Sequence, residues 1–133
     1  MVPSVATVDE LGAHLTGREV ASPDGVAYAV AGDIDISATG ALEDRLLAFG
    51  AANAYVVRLD MADVEFLDSS GLAVLLRARG LLGREDRALA VILPPGPAKR
   101  TFDVSGFGDM FATYISREEA AAAVVPANPD HVE

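Results

Sequence analysis

The sequence predicts an α/β fold, a single domain in which a mixed β-sheet of four to five strands packs against α-helices. Apolar runs of strand length alternate with segments that carry apolar residues at helical spacing. Such alternation joins parallel strands through helices, and a predicted hairpin near the N-terminus adds an antiparallel edge. At 133 residues, the chain has the length of one domain.

Composition narrows the possible functions. Hydrophobic residues make up 51% of the chain and charged residues 23%, which is typical of a globular protein. Twenty acidic against ten basic residues give a formal charge of −10, so nucleic acid is not expected as a partner, because its phosphates would be repelled. The apolar runs are too short to span a membrane and the N-terminus does not resemble a secretory signal. We therefore expect a cytoplasmic protein without direct membrane insertion.

The chain contains no cysteine, and its two histidines, His14 and His131, lie near opposite ends. Thiolate metal sites and thiol nucleophiles are therefore excluded, and any metal would depend on carboxylates. We expect no metal and no cofactor.

The first half of the chain is predicted to form a hairpin and then a helix. Strands at 18–21 and 26–31 flank Ser-Pro-Asp-Gly, a sequence that favours a tight turn. Ser37 is predicted to cap a helix that extends to Phe49 and stops at Gly50.

Around this unit we expect three parts: a peripheral N-terminal segment, the domain itself and a frayed C-terminal tail. The predicted ranges are 1–17, 18–125 and 126–133. The first range includes a short helix-compatible stretch at 8–15.

The second half is predicted to continue the alternation. A strand at 55–59 leads into an acidic turn at 60–63, and a second apolar patch precedes a helix whose apolar stripe starts at Gly71. The apolar run 88–93 is predicted to be a strand buried on both faces. The remaining predictions are a helix at 98–104, a short strand at 113–115 and a last helix capped by Ser116, with Glu119 three residues on.

The sequence Asp68-Ser69-Ser70-Gly71 stands immediately before the central helical run. Its side-chain oxygens can accept hydrogen bonds from the unpaired amides of the first helical turn. The plain structural interpretation is a good N-cap with a glycine that permits close packing. The functional interpretation is a serine hydroxyl presented at a helix N-terminus.

The sequence supports enzymatic functions less well than a binding function. Asp33-Ile34-Asp35 after an apolar strand is similar to the nucleophile motif of haloacid-dehalogenase-like phosphatases, in which one carboxylate attacks phosphorus and the second acts as acid or base. Those enzymes also need a later lysine and an acidic pair, whereas the only lysine here, Lys99, follows a proline-rich turn. A phospho-aspartate receiver domain, with Asp60 at a strand end, fits less well, because too few strand and helix units are present. We expect the chain not to be an enzyme.

Three motifs together resemble the STAS domain family, in particular its stand-alone anti-sigma factor antagonists. The first is FLDSSGLAVLL, preceded by LDMADV. The second is Gly-Asp-Ile-Asp at 32–35, and the third is the segment 97–106, PAKRTFDVSG. Three motifs in order are more specific than any one of them.

The resemblance implies that Ser69 is the phosphoacceptor. It also implies partner switching, in which the unphosphorylated protein binds an anti-sigma factor of the serine kinase type and releases the sigma factor. Phosphorylation at Ser69 would switch binding off, and a PP2C-type phosphatase would restore it. An alternative within the same family is a STAS subunit of a membrane transport system.

The predicted partner-binding surface surrounds the phosphoacceptor. It comprises Asp33, Asp35, Asp68, Ser69, Ser70, Gly71, Leu72 and Leu76. Leu72 and Leu76 lie opposite the main apolar stripe of the helix, so they would form the hydrophobic centre of this surface if they are exposed.

Overall fold

The computed structural model describes residues 7–53 and 55–123, and this part of the chain forms a mixed sheet flanked by helices. The sheet has six strands in sequential order. The strands are β1 (Asp9–Glu10), β2 (Leu15–Ser22), β3 (Gly25–Ile34), β4 (Val56–Leu67), β5 (Ala88–Ile92) and β6 (Ala112–Tyr114). The helices of this part are α1 (Thr39–Asn53), α2 (Ser69–Arg84), α3 (Pro97–Ser105) and α4 (Arg117–Ala122).

The predicted α/β class is confirmed, with one strand more than expected. Strands β1 to β3 pair antiparallel, and β3 to β6 pair parallel through helical crossovers. Every residue of β5 is buried, as its continuous apolar run predicts. The extra strand is the two-residue β1. No helix in the described ranges is long and apolar enough to cross a membrane.

The helix-compatible stretch at 8–15 does not form a helix: it contains β1 (Asp9–Glu10) and the first residue of β2, Leu15. Asp9 pairs with Gly17 of β2, and Leu11 and Leu15 are buried in the core. The predicted boundary between residues 17 and 18 falls inside β2, so the described part of the segment is not peripheral. The predicted tail at 126–133, with His131, lies outside the described residues.

Polar contacts hold β1 in place. The Tyr28 hydroxyl on β3 donates a hydrogen bond of 2.6 Å to Asp9, and the Arg45 Nε on α1 donates one of 2.8 Å to the same carboxylate oxygen. The Arg45 guanidinium also lies 4.9 Å from the centroid of the Tyr28 ring. Burial raises the pKa of Tyr28, so its hydroxyl remains a donor at neutral pH.

The acidic turn expected at 60–63 is also wrong. Strand β4 is twelve residues long, Val56–Leu67, and includes these positions. Asp60 is 5% exposed, and Arg117 of α4 donates a hydrogen bond of 2.6 Å to its carboxylate. The other carboxylate oxygen accepts from the Ala62 amide at 2.9 Å. A buried carboxylate satisfied in this way is compatible with a strand. The pairing of this part of β4 with β3 contains a register shift, since Ala29 pairs with Asp60 but Ala31 pairs with Asp63.

The start and end of α1 differ from the prediction. Asp35, rather than Ser37, is the cap: its carboxylate accepts from the Ser37 amide at 2.9 Å and opens a 3-10 turn, Ile36–Ala38, before α1. The helix also continues past Gly50 to Asn53, because Gly50 is buried against the side chains of Leu82 and Val57. Tertiary packing here overrides the tendency of glycine to end a helix.

The C-terminal elements agree with the sequence. The predicted helix at 98–104 is α3, and the predicted strand at 113–115 is β6, displaced by one residue. The Ser116 hydroxyl accepts from the Glu119 amide at 3.0 Å and begins α4.

Helix α2 lies unusually close to the ends of β3 and β4 at Gly71. A Cβ atom at this position would lie 2.5 Å from the Leu67 side chain and 2.7 Å from the Ile34 carbonyl oxygen. The carbonyl belongs to the backbone and cannot move without disturbing β3. Only glycine therefore allows the first turn of α2 to rest on these strand ends.

We expect Gly71→Ala to lower the free energy of unfolding by about 1 to 3 kcal/mol, because the added methyl group overpacks this contact. The measurement is urea denaturation followed by circular dichroism. Gly80→Ala on the same helix is the matched control, since a Cβ there meets nothing within 4 Å. The control should keep or slightly raise stability, and equal losses in the two variants would contradict the packing argument.

The contacts of Asp9 predict a pH-dependent part of the stability. The hydrogen bond from Tyr28 and the Arg45 charge hold the pKa of Asp9 below its ordinary value of 3.8. The contribution of Asp9 is therefore complete above the unfolded pKa and is lost as the pH falls through the lower folded value. We expect Asp9→Ala to cost about 1 to 3 kcal/mol at pH 7, with the difference from wild type shrinking below about pH 4. Denaturation curves from pH 2.5 to 7 measure it, and a constant difference would contradict it.

Candidate functional site

Asp68 alone caps α2, and this leaves Ser69 available. The Asp68 carboxylate accepts from the Gly71 amide at 3.0 Å, and the Asp68 carbonyl accepts from the Leu72 amide at 3.0 Å. Ser69 is the first residue of the helix and is exposed, whereas Ser70 is half-buried. Within residues 7–53 and 55–123 the Ser69 hydroxyl makes no hydrogen bond, so its oxygen is open to reaction.

The ends of β3 and β4 bring two carboxylates to one edge of the sheet. In the parallel register Ile34 pairs with Leu67, so the next residues, Asp35 and Asp68, leave the sheet side by side. Asp33 lies two residues before Asp35 and is half-buried. Asp35 and Asp68 thus lie at neighbouring strand ends next to Ser69, whereas Asp33 lies within β3.

Asp35 also organises its own turn. Its carboxylate accepts from the Ser37 hydroxyl at 2.6 Å and from the Ser37 amide at 2.9 Å. These bonds lower the pKa of Asp35, so the group is anionic at neutral pH. The turn therefore presents a fixed negative charge rather than a group that exchanges protons.

Two residues of the predicted surface lie elsewhere. Leu72 is only 4% exposed and belongs to the core, and Leu76 is partly buried against the same core. Helix α2 is covered over more than one side, so residues opposite its main stripe are buried as well. The two leucines do not form an exposed hydrophobic centre.

The exposed apolar side chains at this edge are Ile36 and Phe66, which the sequence analysis missed. Ile36 is 77% exposed and Phe66 is 49% exposed. One signal was available for Ile36, which lies between the polar residues Asp35 and Ser37; Phe66 lies between Glu65 and the buried Leu67 and gives no such signal. Their positions beside Asp35 and Asp68 put apolar area next to negative charge.

Two open grooves lie beside these apolar residues. One, of about 270 Å³, runs between α1 and α2 and is lined by Ile36, Ser70, Ala73 and Arg77, among others. The other, of about 450 Å³, lies between the end of β4 and α3, and its walls include Phe66, Arg100 and Val104. Ser70, the residue after Ser69, lines the first groove, and Leu67, two residues before Ser69, lines the second. Concave surfaces of this kind are suited to side chains of another protein.

The requirements of a phosphatase site are not assembled here. Lys99 forms an ion pair of 2.9 Å with Asp103 on α3, so this cation serves α3 itself. Glu119 accepts from the Ile115 amide at 2.9 Å at the start of α4. Across the described ranges, no three His, Cys, Asp or Glu side chains form a group that could hold a metal ion.

Comparison with known proteins places this geometry in a family. The family model described as Mlab, STAS domain, matches residues 18–113. The anti-sigma-B factor antagonist of Staphylococcus epidermidis is 26% identical over 81 residues, which cover 61% of this chain and 75% of that protein. The protein of the same name from Listeria monocytogenes is 26% identical over 87 residues, 65% of this chain and 76% of that protein.

A solved structure agrees with these sequence matches. The crystal structure of an anti-sigma factor antagonist from Mycobacterium paratuberculosis superposes with a TM-score of 0.65 at 25% identity. The match covers 77% of this chain and 86% of that one. The resemblance carried by the three motifs is thus confirmed, and the chain belongs to the STAS domain family.

Proposed function

We propose that this protein is an anti-sigma factor antagonist that acts by partner switching. The observation that carries the proposal is Ser69, an exposed serine at the first position of α2 whose capping role is taken by Asp68. The names of the similar bacterial proteins support the same role. In its unphosphorylated form the protein binds an anti-sigma factor of the serine kinase type, and phosphorylation of Ser69 ends that binding.

The position of Ser69 suits a kinase substrate. The hydroxyl is exposed at an edge of the sheet, so a kinase active site can reach it without unfolding the domain. The nearby carboxylates of Asp35 and Asp68 give a basic protein surface something to recognise. A PP2C-type phosphatase would reach the phosphoserine by the same open approach and reset the switch.

The fold can accept the phosphate. A phosphoserine carries about 1.5 to 2 negative charges at neutral pH. At the start of α2 the unpaired amides and the positive end of the helix dipole stabilise this charge. Asp68 opposes it, but solvent screens charges at an exposed position, so the penalty inside the protein is modest.

At the interface with the partner, the phosphate is unfavourable. Docking at Ile36 and Phe66 removes water from the Ser69 neighbourhood, and an anion stripped of water without a partner is strongly unfavourable. One phosphate therefore abolishes binding while the fold persists.

In this proposal the chain itself is not an enzyme, and it acts in the cytoplasm through its partners. The alternative function, a STAS subunit of a membrane transport system, would use the same fold with a different partner. Affinity capture with Ser69→Ala and with Ser69→Glu, followed by mass spectrometry, separates the two. Recovery of an anti-sigma factor by Ser69→Ala supports the proposal, whereas recovery of transporter components supports the alternative.

With its cognate kinase and ATP, the protein should take up one phosphate per chain on Ser69. Mass spectrometry of the intact protein and of its peptides measures this. Ser69→Ala should take up none, while Ser70→Ala, which alters the neighbouring hydroxyl, should still be modified. Phosphate found only on Ser70 would overturn the assignment of the site.

Phosphorylation should weaken binding without changing stability. We expect the phosphorylated protein to lose at least about tenfold in affinity for its anti-sigma factor, or about 1.4 kcal/mol. Ser69→Glu should show a smaller loss, because a carboxylate carries less charge than a phosphate. Calorimetric titration gives the affinity, and thermal unfolding followed by circular dichroism should give nearly the same midpoint for all forms. Equal affinities, or a rearranged fold, would show that charge exclusion at the interface is not the mechanism.

A further inference from the structure

Residues 9–14, here called the N-terminal segment, precede the part of the chain that the family model matches, residues 18–113. They nevertheless contact the turn that carries Asp35 and Ile36. This turn, here called the site turn, comprises residues 33–38 and connects β3 to α1. The segment thus precedes the matched residues in sequence and lies directly against the candidate site.

Hydrogen bonds join the N-terminal segment to both ends of the site turn. The carbonyl of His14 accepts from the Asp33 amide at 2.8 Å. The amide of Ala13 donates to the Ser37 hydroxyl oxygen at 3.0 Å, and this hydroxyl in turn donates to Asp35. Ile36 lies between these two anchored positions.

The N-terminal segment also packs closely against the site turn. A Cβ atom at Gly12 would lie 2.9 Å from both Cα and Cβ of Ala38, and Ala38 is fully buried. Neither backbone can move away cheaply, because Leu11 beside Gly12 is itself part of the core. Glycine at this position lets the segment lie flat on the site turn.

Asp9 fixes the segment to both elements that the site turn connects. Tyr28, whose hydroxyl donates to Asp9, is on β3 before the turn, and Arg45, whose Nε donates to Asp9, is on α1 after it. Arg45 also forms an ion pair of 3.0 Å with Glu19 on β2. The Asp9 carboxylate thus ties together the strand, the helix and the added segment.

We propose that the N-terminal segment is a positioning element of the partner-binding surface, which fixes the site turn so that Ile36 and Asp35 are presented before the partner arrives. This inference rests on the proposed function, since the surface matters only if an anti-sigma factor binds there. A turn that is already ordered loses less conformational entropy on binding, so fixing it raises affinity without adding a contact. An isoleucine with 77% exposure is of use to the interface only if it is held in place.

The test compares two variants of the segment with matched controls. Asp9→Ala removes the tie to β3 and α1, and Gly12→Ala wedges the segment away from Ala38. The controls are Asp24→Ala and Gly80→Ala. The first removes the ion pair of 2.9 Å between Asp24, in the β2–β3 turn, and Arg58 on β4, and the second adds a methyl group in open space. Should Gly12→Ala fail to fold, Asp9→Ala alone carries the comparison, because it leaves every residue of the site turn unchanged.

The first measurement needs no partner. Hydrogen exchange of the backbone amides of Asp33 and Ser37, followed by NMR, should be roughly tenfold faster in Asp9→Ala and Gly12→Ala than in wild type. The controls should leave these amides unchanged. Equal acceleration in the controls, or no acceleration in the variants, overturns the positioning role.

The second measurement uses the purified anti-sigma factor recovered by capture. Asp9→Ala and Gly12→Ala should bind it at least about fivefold more weakly, and Ile36→Ala should lose at least as much, while the controls bind like wild type. If wild type binds and the segment variants bind equally well, the positioning role is wrong and the proposed function stands. If wild type binds no anti-sigma factor, the proposed function fails, and the exchange rates alone decide whether the segment fixes the site turn.

Discussion

The site depends on the absence of a side chain at Gly71. Because nothing separates this residue from the Ile34 carbonyl and the Leu67 side chain, α2 starts directly on the ends of two parallel strands. This contact fixes where the helix begins, and the beginning of the helix fixes where Ser69 stands. It also places the caps of successive elements side by side, since Asp35 follows Ile34 and Asp68 follows Leu67. The close approach at Gly71 therefore sets the start of α2 and the position of the exposed Ser69.

The polar groups around Ser69 have separate structural roles. The Asp68 side chain caps α2 by accepting from the Gly71 amide, and the Asp35 side chain caps the turn before α1, so neither structural task falls to Ser69. A hydroxyl that is not needed for capping can be modified without loss of a stabilising bond. Chemistry at this position is thereby separated from stability, which is the condition for a covalent switch that leaves the fold intact.

The sequence predicted the sheet class and most helix positions, because periodicity and capping chemistry are local properties. The sequence-based predictions were wrong where contacts between residues distant in sequence determine the local structure. The acids at 60–63 resemble a turn until Arg117, far along the chain, neutralises Asp60 inside the strand. Gly50 resembles a helix stop until Leu82 packs against it, and residues 8–15 resemble a helix until Tyr28 and Arg45 bind Asp9. The burial of Leu72 and the exposure of Ile36 could not be read from the sequence for the same reason, since exposure depends on neighbours that one helix pattern does not contain.

The short outer strands of the sheet have a consequence for self-association. Strand β1 has two residues and β6 has three, so in the described part of the chain each outer strand offers few free backbone groups. Where β2 extends beyond β1, it carries the exposed charges of Arg18 and Glu19. Edges of this kind are poor templates for strand addition, which is how fibres and swapped dimers begin. Contacts with other proteins at these two edges would therefore be made mainly by side chains.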